Sequence, residues 1–243
     1  MEEDLLYKLK IFKAKNHSRG NIFFVGPFTG KEIYFRPLIN QLKDRYTLHY
    51  IQPKDESLSY GNPENLALVI KQVGDYIKLN QKKTSGFLNF IKLKLGKLKN
   101  KNFVVGTSLG SYIGYFSIPD LNFVDKYFFN ASGGLISHIY EDADFKKTMQ
   151  YKKFSNEQIA KAIKIWSDYE NENVVNIKLK GKSIKVVNSN YDKLIQKKHT
   201  KEWFGSADLS GSDLSFEYTN LPGHQAQVLA LNLYAKKITE FFS

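Results

Sequence analysis

The sequence predicts an α/β protein with a mostly parallel central sheet and helices on both faces. Two observations carry this. Six short apolar runs, each three to six residues and bounded by turn residues, alternate with longer stretches of helical periodicity. Strands that are apolar throughout, rather than on alternate residues, belong to a sheet covered on both sides. A third observation makes a folded core affordable: 42% of the 243 residues are hydrophobic and 14% aromatic, so global disorder is excluded.

The elements follow in order. Residues 1–20 form a short amphipathic start (Leu5, Leu6, Leu9, Ile11, Phe12) with room for one antiparallel strand at most. Residues 21–25, Asn-Ile-Phe-Phe-Val, read as the first buried strand, and the loop Gly26-Pro27-Phe28-Thr29-Gly30 follows. Helical spacing places Leu38, Ile39 and Leu42 on one face of residues 36–44. Residues 46–51 read as a strand ended by Pro53, and residues 64–80 as an amphipathic helix carrying Leu66, Ile70, Val73 and Ile77. A basic stretch, 82–102, precedes the strand 103–105 and the helix 109–117, which Pro119 stops. A strand at 126–129 leads into residues 134–180, mainly helical, where Ser155 and Gln158 have capping-box spacing and Phe154 and Ile159 that of its staple. Strands at 183–187 and 214–218 flank a helix over 193–204, and one long amphipathic helix, about 225–242, closes the chain. Only 134–180 interrupts the alternation, so the sequence reads as a single domain over 1–243 with an insertion there.

Composition excludes several chemistries. There are no cysteines, which removes disulfides, iron–sulfur clusters and thiolate zinc sites. The five histidines (17, 49, 138, 199 and 224) show no metal-ligand spacing, so neither a metal nor another cofactor is implied. No apolar run reaches bilayer-spanning length, and Met1-Glu2-Glu3-Asp4 is acidic where a signal peptide is basic, so a cytoplasmic location is expected.

The net charge of +12 raises nucleic acid, an anionic membrane surface and acidic partners. Arginine occurs only at positions 19, 36 and 45, which argues against nucleic acid, because bidentate readout of bases and phosphates relies on arginine. Within 82–102 there are seven lysines and no acid, with Phe87, Ile91, Leu95 and Leu98 on one helical face. That segment is read as an added basic helix. Contact with a membrane surface, an acidic carrier protein or a polyanionic glycan are the alternatives.

One motif carries chemistry. The strand at 103–105 runs into Gly106-Thr107-Ser108-Leu109-Gly110, a G-x-S-x-G sequence between an apolar strand and an apolar helix. The turn is so sharp that side chains two residues either side of the serine would strike neighbouring backbone, and glycine removes them. The serine hydroxyl then sits at a helix N-terminus, where partial positive charge favours a developing anion.

With this motif in this context, the sequence resembles the α/β-hydrolase fold family over roughly 21–242. The resemblance implies a chain order of serine, acid, histidine. Val186-Val187-Asn188-Ser189-Asn190-Tyr191-Asp192 leaves a strand and reaches an aspartate, and Leu221-Pro222-Gly223-His224 follows the last strand. Ser108, Asp192 and His224 are therefore the implied catalytic residues, with Asp142 and Asp144 as competing acids. The implied oxyanion hole takes the Leu109 N–H and a donor from the loop after the first parallel strand. Many members carry His-Gly-Phe there. Here Gly26-Pro27-Phe28 departs from it at two positions, and Phe28 N–H is the implied donor. Residues 134–180 fall where the family inserts a cap, with Met149 and Trp166 as candidate substrate contacts. The expected activity is cleavage of a small-molecule carboxylic ester or thioester through an acyl-serine. Acyl transfer to an alcohol such as a glycan hydroxyl, and a non-catalytic binding module, are the other readings.

Overall fold

A computed structural model describes residues 5–16, 18–27, 31–54, 63–83, 101–118, 121, 123–124, 126–133, 136–142, 146–147, 155–174, 181–205 and 212–243. Phe28, Asp144 and Met149, the staple residue Phe154 and positions 84–100 of the basic segment lie outside these residues.

Seven strands form one sheet: β1 (Tyr7–Phe12), β2 (Gly20–Val25), β3 (Thr47–Pro53), β4 (Lys101–Thr107), β5 (Lys126–Asn130), β6 (Ser183–Ser189) and β7 (Asp213–Thr219). Their order is β1-β3-β2-β4-β5-β6-β7. Only β1 is antiparallel, pairing with β3 from Tyr7↔Pro53 to Phe12↔Leu48. Every other pairing is parallel.

Helices among the described residues include α1 (Arg36–Leu42), α2 (Pro63–Lys83), α3 (Leu109–Phe116), α4 (Ile136–Glu141), α5 (Asn156–Val174), α6 (Lys197–Gly205), α7 (Gly223–Ala230) and α8 (Ala235–Phe242). A 3-10 turn, Glu32–Phe35, leads into α1, and another, Leu231–Leu233, joins α7 to α8.

Alternation along each strand divides the core in two. Phe23, Val25, Val104, Phe129 and Val186 meet α2, α3 and α5 on one face. Ile22, Phe24, Phe103, Val105, Phe128 and Val187 meet α1, α7 and α8 on the other. Both faces are dry, so β2, β4 and β5 read as continuous apolar runs. Among the described residues, no helix is long and apolar enough to cross a membrane.

The elements differ from the sequence expectation in two instructive places. The closing helix is not continuous, because Asn232 Nδ2 donates to the Leu229 carbonyl at 3.1 Å and to the Tyr34 carbonyl at 2.8 Å. A side chain that takes a backbone carbonyl competes with the helical ladder, and the helix breaks there. The helix expected from 193 begins instead at Lys197, because Asp192 Oδ1 accepts the N–H groups of Leu194 and Ile195, both at 2.9 Å, and holds a turn. The capping box forms as read: Ser155 N–H donates to Gln158 Oε1 at 2.8 Å, and Gln158 N–H to Ser155 Oγ at 3.1 Å.

The chain steps from β2 outward to β3, then returns to place β4 on the other side of β2. This reversal is a topological switch point, and in open parallel sheets ligands bind outside the carboxyl ends of the strands that flank one.

Candidate active site

The turn after β4 is strained. Ser108 has φ 53° and ψ −125°, one of two described non-glycine residues with positive φ. Such a backbone costs on the order of 1–3 kcal/mol and persists only where its surroundings enforce it. They do so by exclusion. A Cβ on Gly106 would lie 2.6 Å from Ser111 Cα, and one on Gly110 would lie 2.1 Å from the Val25 carbonyl oxygen. Ser108 N–H donates to the Asn130 carbonyl at 3.0 Å, which ties the turn to β5. The Ser108 side chain makes no capping bond to α3 and is free to point elsewhere.

It points at His224. Ser108 Oγ lies 2.9 Å from His224 Nε2, and His224 Nδ1 lies 2.7 Å from Asp192 Oδ2. An ionised carboxylate only accepts, so this contact assigns the proton to Nδ1 and leaves Nε2 to accept from the serine. The Asp192 side chain is fully buried, and that of His224 is 11% exposed. Asp192 has two jobs: Oδ1 holds its own turn, and Oδ2 holds the imidazole.

The structure thus brings three sequence-predicted residues, Ser108, Asp192 and His224, into one chain of hydrogen bonds. Leu109 opens α3 directly beside Ser108. Asp142 is engaged elsewhere: it accepts from Gln196 Nε2 at 2.8 Å and faces Lys198 and His199. Trp166 is buried, 5% exposed, in the core cluster with Tyr112 and Tyr140. Among the described residues, no group of three or more His, Cys, Asp or Glu could hold a metal.

Beside His224 opens a cleft of about 560 Å³. It is lined by Tyr191, Lys193 and Leu194 of the acid turn and by Asn220, Pro222 and Gly223 of the histidine turn.

Two buried polar groups beneath the site escaped the sequence reading. Gln227, fully buried, donates from Nε2 to Asn130 Oδ1 at 2.6 Å and accepts from Thr219 Oγ1 at 2.6 Å. It joins the ends of β5 and β7 under the histidine turn. Its signal was present: Gln227 falls three residues after His224 on one helix face.

Glu170 on α5 is the other. Its carboxylate accepts from Tyr112 Oη at 2.8 Å, Ile136 N–H at 2.5 Å, and Ser137 N–H and Oγ at 3.2 and 2.5 Å. It caps α4 and ties α4 and α5 to the helix that follows Ser108. Burial pushes this carboxyl up, against the pull of those hydrogen bonds.

No family model and no curated protein matches the sequence. Solved structures do match its shape. Alpha/beta hydrolase domain-containing protein 10 from mouse is 12% identical, with a TM-score of 0.61 over 100% of this chain and 98% of its own. The type II thioesterase BorB from the borrelidin biosynthetic cluster is 11% identical, with a TM-score of 0.59 over 100% of both chains. An esterase of Pyrococcus furiosus is 12% identical, with a TM-score of 0.58 over 97% of this chain and 90% of its own. The chain has the α/β-hydrolase fold.

Proposed function

We propose that the chain is a serine hydrolase that cleaves a carboxylic ester or thioester through an acyl intermediate on Ser108. The hydrogen-bond chain from Ser108 through His224 to the buried Asp192 carries this reading. That neighbours in fold include an esterase and a thioesterase supports it.

A serine hydroxyl is a weak nucleophile at neutral pH. In this reading His224 Nε2 takes its proton as Oγ attacks the carbonyl carbon, then returns that proton to the departing alcohol or thiol. Asp192 holds the imidazole in the productive tautomer and stabilises the imidazolium. The Leu109 N–H, at the positive end of α3, faces the oxyanion, and Phe28 N–H is assigned as the second donor. Water then attacks the acyl-serine with His224 again as base, which frees the acid and restores Ser108. Within 134–180 Met149 is assigned to the acyl pocket, as the cap contact, whereas α5 of the same segment packs on the sheet. Trp166, expected as a substrate contact, is instead packed into the core at 5% exposure, beside Tyr112 and Tyr140, and is not assigned to the substrate.

A second reading is O-acyl transfer, for instance to a glycan hydroxyl, in which the same acyl-serine is attacked by an alcohol in place of water. Acyl-CoA turnover measured with and without candidate alcohols separates the two readings.

Intact-mass analysis after treatment with a fluorophosphonate tests the proposal. One adduct is expected on the wild type and none on Ser108→Ala. A folded wild type that takes no adduct would overturn the reading.

A further inference from the structure

Four large apolar side chains stand exposed around one corner of the molecule. Ile33 and Tyr34 are each 53% exposed, Leu229 49% and Leu233 80%. They come from two segments far apart in the chain, the 3-10 turn before α1 and the corner between α7 and α8. Asn232 joins them. Its Nδ2 reaches the carbonyls of both Tyr34 and Leu229, and its Oδ1 accepts from Leu38 N–H at 3.3 Å. One amide touching both carbonyls sets Tyr34 beside Leu229, with Ile33 and Leu233 next along their segments. Single exposed apolar residues are ordinary on protein surfaces, whereas a contiguous group held in fixed register marks a surface that something covers.

The rim of this corner selects the occupant. Lys31 is exposed just before the first turn, and Arg36 just after it has a side chain 59% exposed. Lys236, 89% exposed, follows Leu233 by three residues. Lys10 reaches in from β1 to Glu32 at 2.7 Å. Among the described residues the acids here are Glu32, which also faces Arg36, and Glu240, which faces Lys236, so these residues leave the rim a positive surplus. A second copy of this chain would set that rim against its own kind, with +12 charges on each partner. An anionic lipid surface offers apolar depth and opposite charge together.

We propose that this corner docks the chain onto anionic lipid surfaces. Ile33, Tyr34, Leu229 and Leu233 enter the interface, and Lys31, Arg36 and Lys236 lie among the headgroups. The docking stands independently of the reaction at Ser108. Its placement nonetheless bears on that reaction, because the first turn continues the loop that leaves β2, and α7 begins with the turn that holds His224. A docked chain brings the carboxyl ends of its strands toward a source of apolar esters.

The test is flotation of the full chain with vesicles of phosphatidylcholine alone, and of phosphatidylcholine with phosphatidylglycerol in equal parts. Binding to the anionic vesicles is expected to exceed binding to the neutral ones by about tenfold and to fall with salt. Leu229→Ser with Leu233→Ser is expected to lower anionic binding by about tenfold, with melting temperature and fluorophosphonate labelling retained. Leu233→Ser alone serves if the double variant is unstable, since that side chain is mostly in water. Lys31→Glu with Lys236→Glu should also lose anionic binding, through charge alone. Equal binding to both vesicle types, absence of binding, or serine variants that bind like the wild type would each overturn the proposal. So would a dimer, seen by light scattering, that the serine variants dissolve, because the patch would then belong to a second copy.

Discussion

The turn that presents Ser108 and the turn that presents Asp192 leave strands two apart in one sheet, and both must reach His224 within hydrogen-bond distance. They are held in different ways. The serine turn is held by exclusion: Gly106 and Gly110 let backbone approach where a Cβ would lie 2.6 and 2.1 Å from its neighbours, and Ser108 takes the strained φ of 53°. The acid turn is held by hydrogen bonds. Asp192 Oδ1 takes two backbone N–H groups, and Ser189 Oγ donates to the Leu221 carbonyl at 2.5 Å and accepts from Tyr191 N–H at 3.0 Å. One residue earlier in β6, Asn188 bonds Ser132 N–H at 2.7 Å, the Ser132 carbonyl at 2.6 Å and Thr200 Oγ1 at 2.8 Å. Strain is concentrated where a nucleophile and a backbone N–H must be offered together. It is absent where a carboxylate need only be oriented.

The widest test of this contrast is Gly110→Ala. The added carbon has only backbone to displace, so the turn cannot relax around it. We expect a loss of about 4 kcal/mol or more, at the extreme of single substitutions, read as a collapse in melting temperature or in folded yield. An unchanged melting temperature would mean that exclusion does not hold the turn.

Asp192→Asn comes next and separates the two jobs of the acid. The asparagine Oδ1 can still accept from Leu194 and Ile195, so the melting temperature should stay within a few degrees. Its NH₂ group cannot accept from His224 Nδ1, and the imidazole is driven to the wrong tautomer. Turnover of a small neutral ester should fall by about 10³–10⁴-fold. A large loss of stability with little loss of turnover would reverse the assignment of the two oxygens.

Asn188→Leu probes the hydrogen-bonded turn from below. It leaves the Ser132 N–H and carbonyl and the Thr200 hydroxyl without their amide partner in a fully buried place. Thr200 Oγ1 still reaches the Ser132 carbonyl at 3.1 Å, so part of the network survives. A loss of about 2–4 kcal/mol is expected from chemical denaturation. A loss under 1 kcal/mol would show that packing, not polar pairing, positions β6.

The same contrast explains what could be read without coordinates. Steric demands are local, so Gly106, Ser108 and Gly110 announce their turn in five consecutive residues. Parallel strands buried on both faces are continuous apolar runs, and their ends fell within about two residues of those observed, as at β5 and β6. Hydrogen-bonded positioning is long-range. The Gln227–Asn130 pair spans 97 positions and the Asn232–Tyr34 pair 198, and no periodicity carries such information. The break in the closing helix was therefore invisible. Asp192 itself was legible by its order after a strand, whereas its local bonds to Leu194 and Ile195, which delay α6, looked like an ordinary helix start.

The smallest expected effect is the sharpest, because its sign differs between the turns. Ser108→Gly removes a side chain from a backbone that glycine adopts freely. Relief of strain, on the order of 1–3 kcal/mol, is offset by up to about 1 kcal/mol of extra freedom in the unfolded chain. A net gain of about 1 kcal/mol is expected in denaturant midpoints, with fluorophosphonate labelling lost. Asp192→Gly relieves no strain and removes the acceptor of two backbone N–H groups and of His224, so it should lose stability. Two glycine substitutions, at two residues that meet on one histidine, would then move stability in opposite directions. Losses at both positions would mean that the backbone of Ser108 is at ease in its turn.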